Sequence, residues 1–383
     1  MIPVVYCTKS EHEEAEILSA EHKPVFCTLC NISNALLSKD IGIIAYGMHK
    51  FAGYDAFIAT HNNGEYPSLK YLSGLNLKFI PNVTGNFEYD AALWLWKNAK
   101  SIDVLNLYHM RSFTFSRAFI YKNLKPEGKI YLKLDGWPLS SQGAFWKRQL
   151  FRWLMKHSDC VSTEFEESAE LLSREWQRKI ICIPNPANPN ELQDFRPFSE
   201  RSNTILYAGR VEHEKGSHTL IEAFGKIAHK IPDWTLKLAG SISEDMNSAP
   251  ASCSADPELN ERVIFTGEIR DRKELAGMYM DAKIFAFPSR HESFGVALTE
   301  AMMQGCFAVT TNIQASTLLT DNFKFALGSD VDDVDGLAKN LLYACTHEPE
   351  IESLALEGRE ATLKRCDLKT CCGIIADNIS PSR

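Results

Sequence analysis

The sequence predicts an α/β protein of two parallel-sheet domains facing across a cleft, and three observations carry that expectation. The chain has 383 residues, more than one ordinary hydrophobic core absorbs. Short β-rich apolar runs alternate with helical stretches, the pattern of βαβ units whose crossover helices leave neighbouring strands parallel. Pro184, Pro186, Pro189 and Pro197 then interrupt the alternation. Four prolines so close together continue neither strand nor helix, and they read as a linker between two sheets.

Taken in order, the first half offers strands at Val25–Cys30, Ala56–Thr60, Leu77–Ile80, Val104–Tyr108, Ile130–Leu134 and Ile180–Ile183, with helices such as Asp90–Lys100 and Glu166–Gln177 between them. Past the prolines the pattern restarts. It runs strand Thr204–Ala208, helix Ser217–Lys230, strands Thr235–Ala239 and Val263–Thr266, helix Lys273–Asp281 and strand Ile284–Phe287. In the helix from Ser217, Leu220, Phe224, Ile227 and Ile231 form one stripe, the spacing of a core-facing side. The expected division is 1–185 for the first domain, 186–199 for the linker, 200–365 for the second domain, and 366–383 for a C-terminal helix that can fold back onto the first. Clefts between domains are where ligands bind.

Composition excludes several classes. Hydrophobic residues make up 45% and charged residues 23%, unlike disordered, collagen-like or disulfide-rich chains. The net charge of -8 argues against nucleic acid as a partner. Residues 1–198 hold 22 basic and 21 acidic side chains, net +1, and residues 199–383 hold 19 and 28, net -9, so the halves are expected to meet different partners. The N-terminus is acidic at Glu11, Glu13, Glu14 and Glu16 and lacks the basic and apolar regions of a secretory signal. The charge-free stretch 301–320 carries Gln304, Asn312, Gln314, Ser316 and four threonines, too polar for lipid. A cytoplasmic protein is expected. The eleven cysteines include one Cys27-x-x-Cys30 pair and adjacent Cys371 and Cys372. No second pair completes a four-ligand zinc site, so buried reduced thiols and no metal are expected.

Three constellations bear chemistry. Strands of the second half run into Gly209, Gly240 and Gly267; glycine at the carboxyl ends of parallel strands lets backbone approach a ligand, although each alone is also an ordinary turn glycine. The segment Ala208-Gly-Arg-Val-Glu-His-Glu-Lys-Gly216 puts Arg210 and Lys215 beside a helix N-terminus, a combination suited to a diphosphate. Glu212 and Glu214 leave open a solvated mixed-charge loop. It is neither a dinucleotide fingerprint nor a P-loop. Third, Phe287-Pro-Ser-Arg-His-Glu-Ser-Phe-Gly-Val-Ala-Leu-Thr-Glu-Ala-Met-Met-Gln-Gly305 ends a strand, carries Glu292 on a loop and opens an apolar helix whose one charge is Glu300. A carboxylate in such a helix needs a partner, and ribose hydroxyls qualify; a surface glutamate is the plainer reading.

Glu292 and Glu300 within Glu-Ser-Phe-Gly…Glu-Ala-Met resemble the signature of glycosyltransferase family 4, retaining enzymes of the GT-B fold with two Rossmann-like domains. The Gly209-Arg210…Lys215-Gly216 loop and the run Ala282-Lys-Ile-Phe-Ala-Phe-Pro-Ser289 are similar to the same family, over roughly residues 200–345. By that resemblance, Arg210 and Lys215 bind the diphosphate of a nucleotide sugar. Glu292, Ser293 and the backbone of Phe294 and Gly295 hold the sugar, Glu300 takes the ribose, and Gly267 to Ile269 receive the base. The family keeps a histidine after the fourth N-domain strand near the transferred sugar, and His109 fits that place; a core histidine is the alternative. The glycine-rich loop many members carry after the first strand is not visible at Asn31–Asn34 or Gly47, which leaves phosphate contacts from the first domain open.

The first half resembles bacterial polysaccharide transferases more loosely, through Gly53-Tyr-Asp55, Asn63-Gly-Glu-Tyr-Pro67 and Tyr131-Leu-Lys-Leu-Asp135. Along residues 146–157, Arg148, Arg152 and Lys156 share one helical stripe and Trp146, Leu150, Trp153 and Leu154 another. That pattern can serve an amphipathic helix on an anionic membrane surface, but a helix burying its tryptophans in the domain core is the preferred reading. Asp330, Asp332, Asp333 and Asp335 miss the EF-hand spacing and fit helix capping instead. The expected activity is retaining, metal-independent hexosyl transfer from a nucleotide sugar to a glycan or lipid-linked glycan, at the inner face of a bacterial membrane, with no cofactor. A nucleotide-sugar epimerase of the same architecture and a non-catalytic sugar-nucleotide-binding subunit are the alternatives.

Overall fold

A computed structural model of the chain describes residues 23–134, 145–192 and 194–379. Asp135 lies outside them. The apolar runs of the first half become strands β1 (Val25–Leu29), β2 (Asp55–Thr60), β3 (Asn76–Phe79), β4 (Val104–Tyr108), β5 (Lys129–Lys133), β6 (Cys160–Thr163) and β7 (Ile181–Cys182). All pair parallel, in the order β3-β2-β1-β4-β5-β6-β7. The central strand β4 is buried at every residue, as a parallel strand with helices on both faces must be. β3, at the edge, is short and largely exposed and carries Lys78, which suits an unpaired rim.

The second half forms β8 (Ser202–Ala208), β9 (Thr235–Ala239), β10 (Val263–Gly267), β11 (Ala282–Phe287), β12 (Phe307–Thr311) and β13 (Ala326–Ser329), parallel in the order β10-β9-β8-β11-β12-β13. Both sheets follow the doubly wound order 3-2-1-4-5-6, the first extended by a seventh strand, so both domains are Rossmann-like. Each has a topological switch point where the order reverses, between β1 and β4 in the first and between β8 and β11 in the second.

Helices cover both faces of each sheet. In the first, helix Asp40–Phe51 fills one side with Ile43, Ile44 and Met48, and the last helix, Leu368–Ile379, joins it through Leu368, Cys372, Ile375 and Ile379. Gly47 lies inside the Asp40–Phe51 helix against Cys372, away from the loop after β1. That loop is tied to the loop after β2: Asn63 Nδ2 donates to Asn31 Oδ1 at 2.6 Å and to the Ile32 carbonyl at 2.8 Å. The other side is covered by helices Phe87–Asn98, Ser112–Leu124, Phe145–His157 and Glu166–Trp176. Leu154 is fully buried there and Trp153 packs against the same core. The apolar stripe of residues 146–157 is therefore largely buried inside the domain, as the preferred core-helix reading has it, and of its tryptophans only Trp146 stays exposed. Among the described residues no helix is long and apolar enough to cross a membrane. Asp333 caps helix Val334–Thr346 by accepting from the Gly336 N–H at 2.9 Å.

Candidate active site

The loops that leave β8 and β11 flank the switch point of the second sheet, and they are docked on each other. Gly240, which follows β9, sits so close to the β8 exit that a Cβ on it would lie 1.8 Å from the Gly209 carbonyl oxygen. A Cβ on Gly216 would lie 2.0 Å from the Pro288 carbonyl oxygen, and its φ of +66° is left-handed. Only glycine meets both demands at 216. The Arg290 N–H then donates to the Glu214 carbonyl at 3.2 Å, and Thr311 Oγ1 to the Ser289 carbonyl at 2.5 Å.

Two helices start at this junction. Ser217–Ile227 opens at Gly216 and Val296–Met303 at Gly295, both with left-handed glycines and neither with a side-chain cap. Their first backbone N–H groups have no partner within the helix, and each N-terminus carries partial positive charge. Between them Lys215 Nζ donates to Glu292 Oε1 at 2.7 Å, and Ser289 Oγ donates to the same oxygen at 3.0 Å. Arg210 extends outward and pairs with Glu212 Oε2 at 2.9 Å. Its backbone is held by the Tyr207 hydroxyl, which donates to the Arg210 carbonyl at 2.5 Å. Glu212 is itself buried rather than solvated, which anchors this loop.

Glu300 has protein partners. Arg272 donates to its Oε1 at 2.5 Å and Tyr279 to its Oε2 at 3.3 Å, while Arg272 also pairs with Glu191 at 2.9 Å. Burial pulls the Arg272 pKa down, but the carboxylates of Glu300 and Glu191 outweigh that and raise it. An ionised carboxylate has about four acceptor positions, so Glu300 keeps room for two further hydroxyls. Arg272, Tyr279 and Glu191 carry no motif of their own. The one sequence signal is position, since Arg272 opens the helix that follows the Gly267 loop and Asp271 caps that helix.

The remaining residues fall on two walls. Gly267 ends β10 with φ +74° and open space over its Cα. Ile269 is half-buried against the Phe287 cluster, and Ser293 is exposed. Phe294 is buried and stacks on Phe165 of the first domain, ring centroids 5.2 Å apart. His109 belongs to the opposite wall, directly after β4 at the first sheet's switch point. It has φ +61°, and its backbone N–H donates to the Lys133 carbonyl at 2.9 Å. The cleft between the walls is lined by Lys39 and Asp40 from the first domain, Asn188 and Glu191 from the linker, and Arg272 and Glu300 from the second.

Among the described residues no group of three or more His, Cys, Asp or Glu could hold a metal ion. Burial pushes the Cys30 and Cys182 thiols up to about 11 and those of Cys160 and Cys306 up to about 12, the reverse of what a reactive thiolate requires.

Two Rossmann-like domains that close a cleft over a switch-point site define the GT-B architecture. Residues 190–360 match the family model described as glycosyl transferases group 1, and this segment is a glycosyltransferase group 1 domain. A 2-deoxystreptamine N-acetyl-D-glucosaminyltransferase of Niallia circulans is 28% identical over 226 residues, 55% of this chain and 56% of the relative. A phosphatidyl-myo-inositol mannosyltransferase of Mycolicibacterium smegmatis is 27% identical over 181 residues, 45% of each. The chain spans about half the length of the curated relatives it matches. In fold, a glycosyltransferase from Rickettsia africae superposes with a TM-score of 0.75 at 15% identity, over 94% of this chain and 100% of that one. Anabaena Alr3699/HepE in complex with UDP-glucose gives 0.70 at 15%, over 92% and 98%.

Proposed function

We propose that this protein transfers a hexosyl unit from a nucleotide diphosphate sugar to an acceptor hydroxyl, with retention of anomeric configuration. One observation carries the reading: Lys215, Glu292 and the uncapped starts of two helices converge at the switch point of the second sheet. The bond from the anomeric carbon to the diphosphate oxygen breaks, and the acceptor oxygen bonds to the same carbon. The acceptor proton passes to the leaving phosphate. Charge developing on the diphosphate is the main quantity to stabilise; Lys215, Arg210 and the helix N-termini supply that without a divalent metal. Glu292, Ser293 and the backbone of Phe294 and Gly295 hold the sugar, Glu300 takes the ribose, Gly267 to Ile269 receive the base, and His109 faces the transferred sugar from the other wall.

The UDP-glucose complex of a protein with this fold supports the nucleotide sugar. Relatives named as glycosyltransferases support the transfer, and the mannosyltransferase among them supports a lipid-borne acceptor. We assign the acceptor to a glycan or lipid-linked glycan of a bacterial surface polysaccharide or glycoconjugate, met at the cytoplasmic face of the membrane. The test is thermal shift against UDP, GDP, ADP and their sugar conjugates, followed by turnover with the stabilising conjugate. A ligand at 100 times its Kd adds about 2.7 kcal/mol. Product with the donor's anomeric configuration, formed equally with and without a chelator, is expected. An isomerised donor without acceptor would establish an epimerase, and binding without turnover on any glycan acceptor a binding subunit.

A further inference from the structure

The outer layer of the first domain exposes a continuous apolar face. Helices Phe87–Asn98, Ser112–Leu124 and Phe145–His157 lie side by side, with Leu95, Ala118 and Leu154 turned into the core. On the outward side Tyr89, Leu93 and Trp96, spaced i, i+4 and i+7, are 58%, 54% and 66% exposed. Phe113, Phe119 and Trp146 are exposed beside them. The rings connect across the helices: Tyr89 meets Phe113 at 6.3 Å, and Phe119 meets Trp153 at 5.4 Å. Single exposed apolar residues are ordinary, but a contiguous aromatic face on three helices marks a contact surface.

The three helices and their connecting segments are predominantly basic, although Glu127 is exposed and the next helix of the layer, Glu166–Trp176, carries exposed glutamates. Residues 87–157 carry twelve Lys and Arg against five Asp and Glu. Lys97, Arg111, Arg148, Arg152 and Lys156 are exposed. Of the acids, Glu88 pairs with Arg117, Asp103 with Lys125, and Asp90 is buried. Tyr89 and Phe113 sit in the first turns of helices that follow β3 and β4, so the face begins at the carboxyl rim of the first sheet, beside His109 and Arg111. From there it runs outward, away from the cleft.

We propose that this three-helix face rests on an anionic bilayer. Its Trp and Tyr rings sit at the headgroup boundary and its cations on lipid phosphates, which presents a lipid-borne acceptor at the cleft rim. Aromatic rings with one wet edge favour that boundary, and clustered cations favour an anionic leaflet. A second copy of the chain is disfavoured as occupant, because pairing this face with itself sets cations against cations. The inference rests on the peripheral location proposed above and names a different surface from the 146–157 stripe alone.

The test is co-sedimentation of the full chain with vesicles of phosphatidylglycerol mixed into phosphatidylcholine, against phosphatidylcholine alone. Binding to the anionic vesicles that weakens with salt is expected. Leu93→Ser/Trp96→Ser/Trp146→Ser should lower the partition at least about tenfold, as should Arg148→Glu/Arg152→Glu. Leu356→Ser, exposed on helix Glu348–Arg365 of the second half, should leave it unchanged, and all three variants should keep the wild-type thermal shift with nucleotide. Equal binding by wild type and the triple variant, no vesicle binding at all, or a solution dimer that the triple variant disperses would each overturn the proposal. Vesicle binding without any nucleotide response would overturn the proposed activity and leave this surface standing.

Discussion

Lys215 and Glu292 meet at 2.7 Å in a partly buried niche, so a diphosphate arriving there must exchange with the carboxylate for the same ammonium. This makes the two side chains separable by experiment. Lys215→Ala is expected to lower kcat/KM about 10- to 100-fold, the worth of one charge-assisted bond of roughly 1.5–3 kcal/mol, and Arg210→Ala to do so less severely because its side chain is mostly exposed. Glu292→Gln is expected to bind free nucleotide diphosphate at least as tightly as wild type while transfer falls, with calorimetry and steady-state rates as the two readouts. Parallel losses in both would remove the exchange. Glu300 belongs to a different unit, because Arg272 bridges it to Glu191 of the linker. Removing Arg272 strands two partly buried carboxylates, so Arg272→Ala should lower stability in urea unfolding by roughly 1–3 kcal/mol.

At the scale of elements, the site depends on how closely two loops pack. Gly216→Ala adds a methyl 2.0 Å from the Pro288 carbonyl oxygen in a left-handed backbone, so stability and turnover should both drop. Gly267→Ala carries the same backbone strain, about 1 kcal/mol, but points into open space. That open space is the one assigned to the base, so the variant should lose a little stability and also raise the donor KM, which denaturation midpoints and steady-state rates measure separately. Asp159 does similar joining work between β5 and β6. Burial pulls its carboxyl pKa up, but the Ile130 N–H, Lys122 and Lys129 pull harder and leave it below the usual carboxylate range. A carboxylate with a depressed folded pKa stabilises fully above its unfolded value, about 3.9, and loses that contribution as pH falls through the folded one. The stability gap between wild type and Asp159→Asn should therefore be widest near neutrality and close below about pH 4. Element types were legible from apolar alternation, and β4 and β9 match their expected bounds. β6 was not: Cys-Val-Ser-Thr is too short and polar to read as a strand, and it becomes one because β5 and β7 pair with it on both sides.

Across the whole molecule, the two walls and the linker between them touch through a few specific bonds. Phe165 stacks on Phe294, the Tyr71 hydroxyl donates to Asp271 at 3.3 Å, Asn190 donates to the Tyr71 carbonyl at 2.8 Å, and the Ala187 N–H donates to the Cys366 carbonyl at 3.1 Å. Phe165→Ala removes first-domain support from a residue assigned to the sugar without touching Lys215. Nucleotide affinity should hold while kcat falls, and an equal loss of both would show that the stack instead shapes the nucleotide site. The diphosphate site proposed in the second half is compatible with that half's net charge of -9, because Lys215 and two helix N-termini would act at contact distance whereas scattered surface acids are screened over about 10 Å.

The sequence by itself determined the fold class and the identity of the motif residues, since alternation, prolines and glycine-flanked charges are local properties of the chain. Which charges pair was decided by the tertiary structure. Glu191, Arg272 and Glu300 come from a linker and two helices up to 109 residues apart, and no local pattern encodes that meeting. The direction of the tryptophans was decided there too. An amphipathic spacing states that a helix has an apolar side, but only neighbouring helices determine whether that side is buried, as for Leu154, or left facing outward, as for Trp96.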